Sequence, residues 1–195
     1  MTLADPLLVV AAVARALDEL SVRYVVGGSI ASMLYGIPRA TQDVDLVAEL
    51  RVDHAEPLAA RLRDAFYADA DMIRDAVRRR ASFNVVHLGT MFKADVFVAR
   101  PDAWGRAEMD RGRVERVGEG ADAVEIRFAT PEDTVLHKLV WFRLGNELSE
   151  RQWRDVLGVL SVQGAALDDA YLDRWAGDLG VADLLERARR AARVQ

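Results

Sequence analysis

The sequence predicts an α/β (α+β) fold: a mixed sheet flanked by helices, then a C-terminal helical region. Three observations predict it. Short β-rich runs alternate with helical segments as far as Phe128. Beyond Phe128 the chain shows capped helix starts and no strand-like run. Apolar residues make up 51% and charged residues 29%, the balance of an ordinary globular protein rather than a disordered one.

Residues 5–20 (DPLLVVAAVARALDEL) form the first expected helix, with Asp5 as N-cap and Pro6 at its first position. Residues 22–26 (VRYVV) are a strand stopped by Gly27-Gly28, and residues 29–35 return to helix. Residues 43–48 (DVDLVA) alternate acid and apolar, as a strand with one wet face does. Residues 53–80 are expected to be helical with a break near Ala68–Asp71. Strands follow at 83–88 and 91–98, joined by a tight turn at Gly89-Thr90. Residues 101–122 are charged and expected to be irregular, with a strand near 113–117. Residues 123–128 (AVEIRF) are the last strand.

Thr130-Pro131-Glu132-Asp133 opens a helix with a Thr cap, Pro at the first position and acids in the first turn. Gly145 ends it, Ser149 begins the next, and Asp168 and Gly180 mark the remaining boundaries. The expected domains are 1–128, a mixed core, and 129–195, a helical region packed on it.

Composition excludes several chemistries. There is no cysteine, so disulfides, thiol nucleophiles and Cys-ligated metals are ruled out. The histidines His54, His87 and His137 are not in metal-ligand spacing. No apolar run approaches the ~18 residues of a membrane span. The start lacks the basic segment of a signal peptide. These point to a cytoplasmic location without a membrane partner. The net charge of −5 argues against a general nucleic-acid coat protein, though not against a local basic patch.

Chemistry concentrates in one segment. Asp43 and Asp45 lie two apart on a strand and share a face, while Val44 and Leu46 point inward. Two neighbouring carboxylates repel each other unless a cation sits between them. A hard divalent ion, Mg²⁺ or Mn²⁺, is the simplest answer. Gly27-Gly28-Ser29 follows a strand and opens a helix, where glycines admit close approach and N–H groups bind phosphate. A phosphate cradle followed by a metal-binding Asp-x-Asp strand is a nucleoside-triphosphate site. Asp95, on a later strand with Lys93 on its face, is the candidate third carboxylate, as metal ligand or general base. Each element alone has a plainer reading: a solvated strand end for Asp-x-Asp, a simple turn for Gly-Gly. Order and spacing together make the pattern specific.

Those residues resemble the nucleotidyltransferase (polymerase-β) superfamily: Val26-Gly27-Gly28, then Asp43-Val44-Asp45, then Asp95. The longer pattern Gly27-Gly28-Ser29, Ala31, Gly36, Arg39, Thr41, Asp43-Val44-Asp45-Leu46 is similar to the AbiEii-like minimal nucleotidyltransferases, many of them toxins of type IV toxin–antitoxin systems. Arg78 to Asn84, Pro131-Glu132-Asp133 with Lys138-Leu139, and Arg151 to Asp155 resemble a subgroup of small bacterial nucleotidyltransferase-like proteins. The resemblance implies the nucleotidyltransferase fold, Mg²⁺, an NTP, and transfer of a nucleoside monophosphate to a hydroxyl with release of pyrophosphate. The expected acceptor is RNA, including tRNA, or protein. An antitoxin partner would accompany a toxin. The alternatives are a small-molecule, antibiotic-type transferase or a non-catalytic NTP-binding module. Against the small-molecule class stands the short helical region left after residue 128.

The remaining candidates carry two readings each. Arg39 neutralises phosphate, Thr41 and Ser29 line the NTP site, and Lys138 holds triphosphate or makes a salt bridge. Arg151 and Asp155, four apart, pair on one helix face. Arg74 to Arg80 forms a local basic patch, for RNA or simply a solvated helix face. Trp141, Trp153 and Trp175 are expected in the core or at a homodimer interface, and Trp104 over a pocket.

Overall fold

In the computed structural model the described residues are 5–41, 43–118 and 123–193. The chain divides into two compact units, Met1–Gly27 with Thr41–Phe128, and Gly28–Ala40 with Ala129–Gln195.

The first unit is a seven-stranded mixed sheet in the order β3-β4-β5-β2-β1-β7-β6 with four helices. Helix α1 (Asp5–Glu19) buries Val9, Val10, Val13, Ala14, Ala16 and Leu17, one stripe at helical spacing. The side chain of Asp5, the expected cap, lies outside what is described. Ser21, in the left-handed region at φ 54°, ends the helix turn, so β1 (Tyr24–Val26) starts later than residue 22. All three β1 residues are buried, because β1 has β2 on one side and β7 on the other.

Strand β2 (Asp43–Ala48) alternates as expected: Val44, Leu46 and Ala48 are buried, Asp43, Asp45 and Val47 partly exposed. The segment expected as one broken helix is more divided. It comprises a 3-10 turn (Val52–His54), α3 (Ala55–Leu62), the two-residue strand β3 (Phe66–Tyr67) and α4 (Ala70–Arg79). Tertiary pairing overrides helix composition here: Phe66 and Tyr67 pair with His87 and Val86. Asp69 then restarts the helix by accepting the Met72 N–H at 2.8 Å.

Strands β4 (Ser82–His87) and β5 (Lys93–Val98) are antiparallel, but their connection is longer than the expected tight turn. The His87 ring sits 2.9 Å from Thr90 Oγ1 and Met91 takes φ 60°, which closes a five-residue loop. The stretch expected to be irregular contains α5 (Ala103–Arg111), capped by Asp102 through the Gly105 N–H at 2.8 Å. Its inner face buries Trp104 and Met109. Trp104 is thus a core residue and not a pocket cover. Strands β6 (Arg113–Val117) and β7 (Val124–Phe128) close the sheet, and residues 119–122 of the expected irregular stretch lie outside the described residues.

The second unit is helical among its described residues: α2 (Gly28–Tyr35), α6 (Pro131–Leu144), α7 (Glu150–Gln163), α8 (Asp169–Asp178) and α9 (Ala182–Ala192). Side chains cap α6, α7 and α8: Thr130, Ser149 and Asp168 accept the N–H of Asp133, Gln152 and Tyr171. Leu136, Leu139, Phe142, Val156, Val159, Leu172, Leu184 and Leu185 form the core. Trp175 joins it, and Trp153 stacks near Phe142 beneath the Arg187 guanidinium at 4.3 Å. Trp141 does not, being 48% exposed. Among the described residues, no helix is long and apolar enough to cross a membrane.

Candidate functional site

The acidic face belongs to two adjacent parallel strands of the first unit. The register sets Asp43 beside Lys93 and Asp45 beside Asp95. On the far side of β5, Asn84 pairs with Asp95. Strand alternation sends these side chains to one face, while Val44, Leu46, Ala94 and Val96 fill the other. One row across three strands is therefore Asp45, Asp95, Asn84, and the next is Asp43, Lys93, Val86. Thr41 orients the first acid, its hydroxyl lying 3.0 Å from both the Asp43 carbonyl oxygen and Oδ1.

Lys93 Nζ donates to Asp95 Oδ2 at 2.7 Å. That hydrogen bond, outweighing partial burial and helped by the charges of Asp95, Asp43 and Asp45, holds the ammonium above its ordinary pKa. The acids are thus already in the field of a tethered cation. Among the described residues, no three His, Asp or Glu side chains are drawn together to hold a metal ion as they stand. The donor set still fits a hard divalent ion. Asp43 and Asp45 offer carboxylate oxygens on one face, the donor type that a hard divalent ion takes.

Gly27 ends β1 beside this face. Its N–H donates to the Asp45 carbonyl oxygen at 2.9 Å, so that amide is committed to the sheet and does not serve as a phosphate donor. A Cβ on Gly27 would meet nothing within 4 Å. Gly28 takes φ 55°, the left-handed value that favours glycine, and opens α2. First-turn amides of a helix lack intrahelical partners, so the α2 start is the end of that helix electrostatically suited to an anion.

In the second unit, the buried Ser29, Lys138 and Asp155 and the half-buried Arg39 form one network. Asp155 accepts from Arg39 Nε and Nη2, each at 2.9 Å, and from Lys138 Nζ at 2.8 Å. Arg39 Nη2 also donates to Ser29 Oγ at 2.7 Å, and Nη1 to the Ala40 carbonyl. Lys138 is 5% and Asp155 8% exposed. Burial alone would raise the Asp155 pKa, but Arg39 and Lys138 hold it below the usual carboxylate value. The expected Arg151–Asp155 pair is therefore corrected. Arg151 is exposed, and Asp155 turns inward to two cations distant in sequence. Val159, one helical turn on and fully buried, marks that face as the inner one, a signal readable in the sequence.

The basic patch on α4 is partly neutralised by its neighbours. Arg74 pairs with Asp71 and Glu56, and Arg79 with Asp75. Sequence reasoning missed Asp155 as the junction of Arg39 and Lys138, and Asn84 as a neighbour of Asp95. It noted that Lys93 shared a face with Asp95 but not that the two bond.

No protein family matches the sequence, and neither does any curated protein. Solved structures do match. An antigenic nucleotidyltransferase-like protein from Paracoccidioides brasiliensis is similar over 92% of this chain and 92% of its own, at 17% identity and a TM-score of 0.53. ANT(2'')-Ia, in complex with adenylyl-2''-tobramycin, is similar over 98% of both chains, at 15% identity and a TM-score of 0.52. With the seven-stranded mixed sheet and its acidic β2 strand in hand, this likeness shows that the chain has the nucleotidyltransferase fold.

Proposed function

We propose that the chain is a nucleotidyltransferase that moves a nucleoside monophosphate from an NTP to an acceptor hydroxyl. The observation that carries this reading is the shared face of Asp43, Asp45 and Asp95 on β2 and β5. Asp43 and Asp45 would hold a divalent ion, Mg²⁺ or Mn²⁺, with Thr41 fixing the Asp43 carboxylate. When bound, such an ion supplies neutralisation of phosphate charge.

The residues account for the rest. The acceptor oxygen bonds to the α-phosphorus, the bond from that phosphorus to the bridging oxygen breaks, and pyrophosphate leaves. Asp95 would serve as metal ligand or as the base that takes the hydroxyl proton. Gly27 and Gly28 allow close approach of a phosphate, and Ser29, Arg39 and Lys138 are assigned to NTP binding.

Two acceptor classes stand. An RNA or protein acceptor accords with the AbiEii-like pattern and with a toxin that has an antitoxin partner. A small-molecule hydroxyl accords with the likeness to ANT(2'')-Ia, found with an adenylylated aminoglycoside. The short helical region argued against the second class. That argument fails, because 98% of the ANT(2'')-Ia chain is covered by this one. The small-molecule acceptor is thereby raised to equal standing.

The test is label transfer. The protein is incubated with each α-labelled NTP and Mg²⁺, and with total RNA, cell lysate or a panel of aminoglycosides. Wild type should label one class, and Asp43→Ala/Asp45→Ala none. If neither protein labels anything and neither binds NTP, the enzyme reading is lost. Growth arrest on induction of wild type but not of the double variant would support a toxin; equal growth removes that role.

A further inference from the structure

We propose that Lys93 is a built-in counter-ion of the acidic face: it occupies Asp95 and confines a divalent ion to Asp43 and Asp45 until it is displaced. The inference rests on the nucleotidyl-transfer reading and adds an order of occupancy to it.

The geometry is local to two strands. Lys93 and Asp95 are two apart on β5, so both side chains leave the same face, and their charged atoms meet at 2.7 Å. Across the parallel pairing, Asp43 neighbours Lys93 and Asp45 neighbours Asp95. Three carboxylates and one ammonium on that face sum to two negative charges, which one divalent ion balances. A second divalent ion would need the Asp95 oxygens that Lys93 holds. The Lys93 side chain is 44% exposed, so its amine can leave Asp95 for water without being stranded in an apolar interior.

The magnitude follows from charge. A unit positive charge about 5 Å from a divalent ion, in a medium close to water, weakens binding about tenfold. The experiment titrates the full chain with Mn²⁺ alone, reading free Mn²⁺ by electron paramagnetic resonance. The proteins are wild type, Lys93→Met, Lys93→Arg, Asp95→Asn and Lys93→Met/Asp95→Asn, each checked by thermal melting. Wild type should bind one Mn²⁺. Lys93→Met should bind about tenfold more tightly and take up a second Mn²⁺, while Lys93→Arg should behave as wild type. In the Asp95→Asn background, Lys93→Met should still tighten the first Mn²⁺ through charge but should take up no second one, because the oxygens that Lys93 guards are gone.

Identical titrations of wild type and Lys93→Met would overturn the inference. So would a second Mn²⁺ on Lys93→Met/Asp95→Asn, which would show that the ion Lys93 excludes does not use Asp95. Either result, with Mn²⁺ bound to wild type, leaves the transferase reading intact. No Mn²⁺ on any of the folded proteins removes the metal site and both readings together.

Discussion

Removing the Asp155 carboxylate should be far more damaging than an exposed aspartate loss. In Asp155→Ala the buried Lys138 ammonium loses its partner at 2.8 Å, and Arg39 loses two bonds at 2.9 Å. Breaking a buried pair by deleting one partner costs about 3–5 kcal/mol, chiefly through the charge left behind. For a chain of 195 residues that corresponds to a Tm lower by roughly 10 °C. Urea unfolding followed by circular dichroism reads the loss directly. A companion variant isolates the cause. In Lys138→Met/Asp155→Leu no buried charge remains unpaired, and Arg39, with a side chain 23% exposed, can reach water. Most of the lost stability should return, to within ~1–2 kcal/mol of wild type. The pH dependence has a definite sign. The folded Asp155 pKa lies below its unfolded value of 3.8, so its contribution is complete above that value and is lost as pH falls through the lower one. Asp155→Ala should flatten that part of the acid limb. A single variant within ~1 kcal/mol of wild type, or a double variant no better than the single, would refute the network as an electrostatic unit.

Three further outcomes follow from particular positions. Gly27→Ala should leave the Tm unchanged, since a Cβ there meets nothing within 4 Å, but should raise the KM for NTP if the glycine serves ligand approach; an unchanged KM removes that role. Gly36→Ala should cost about 1–3 kcal/mol by urea unfolding, because its Cβ would lie 2.8 Å from the Ser32 carbonyl oxygen and 2.9 Å from the Val159 nitrogen. His54 is held below its ordinary pKa by burial and then by the Arg51 charge, and its Nδ1 accepts the Arg51 N–H at 3.2 Å. Its stabilisation is full above the unfolded value of 6.5 and is lost as pH falls through the lower folded value, so His54→Asn should show a flatter pH–Tm curve across that window; parallel curves would count against it.

The acidic strand was the most legible part of the chain because two local rules agree there. Alternation places Asp43 and Asp45 on one face, and Val44 and Leu46 need no partner outside the core. Helix starts were legible for the same reason, since Thr130, Ser149 and Asp168 each act within four residues. What escaped was set by distant chain. Phe66 and Tyr67 read as helix until β4 offers a strand to pair with. Helix α5 reads as charged coil because a few buried side chains, such as Trp104 and Met109, sit among exposed charges. Asp155 carried a plausible local partner at Arg151, and only the approach of residues 39 and 138 decides otherwise.

The electrostatics bear on the acceptor as well. Between residues 69 and 80 the four arginines are set against Asp69, Asp71 and Asp75. Arg74 and Arg79 are already paired on their own helix, with Glu56 adding a contact to Arg74. A surface that holds an RNA backbone works by exchanging condensed counter-ions for fixed cations, and its strength scales with the number of cations that reach phosphates. Arginines that must first leave a carboxylate contribute less to that exchange. The patch is therefore a weaker argument for RNA than its sequence suggests. Under the proposed transferase reading the length argument against a small acceptor fails as well, so the label-transfer assay decides between the two acceptor classes.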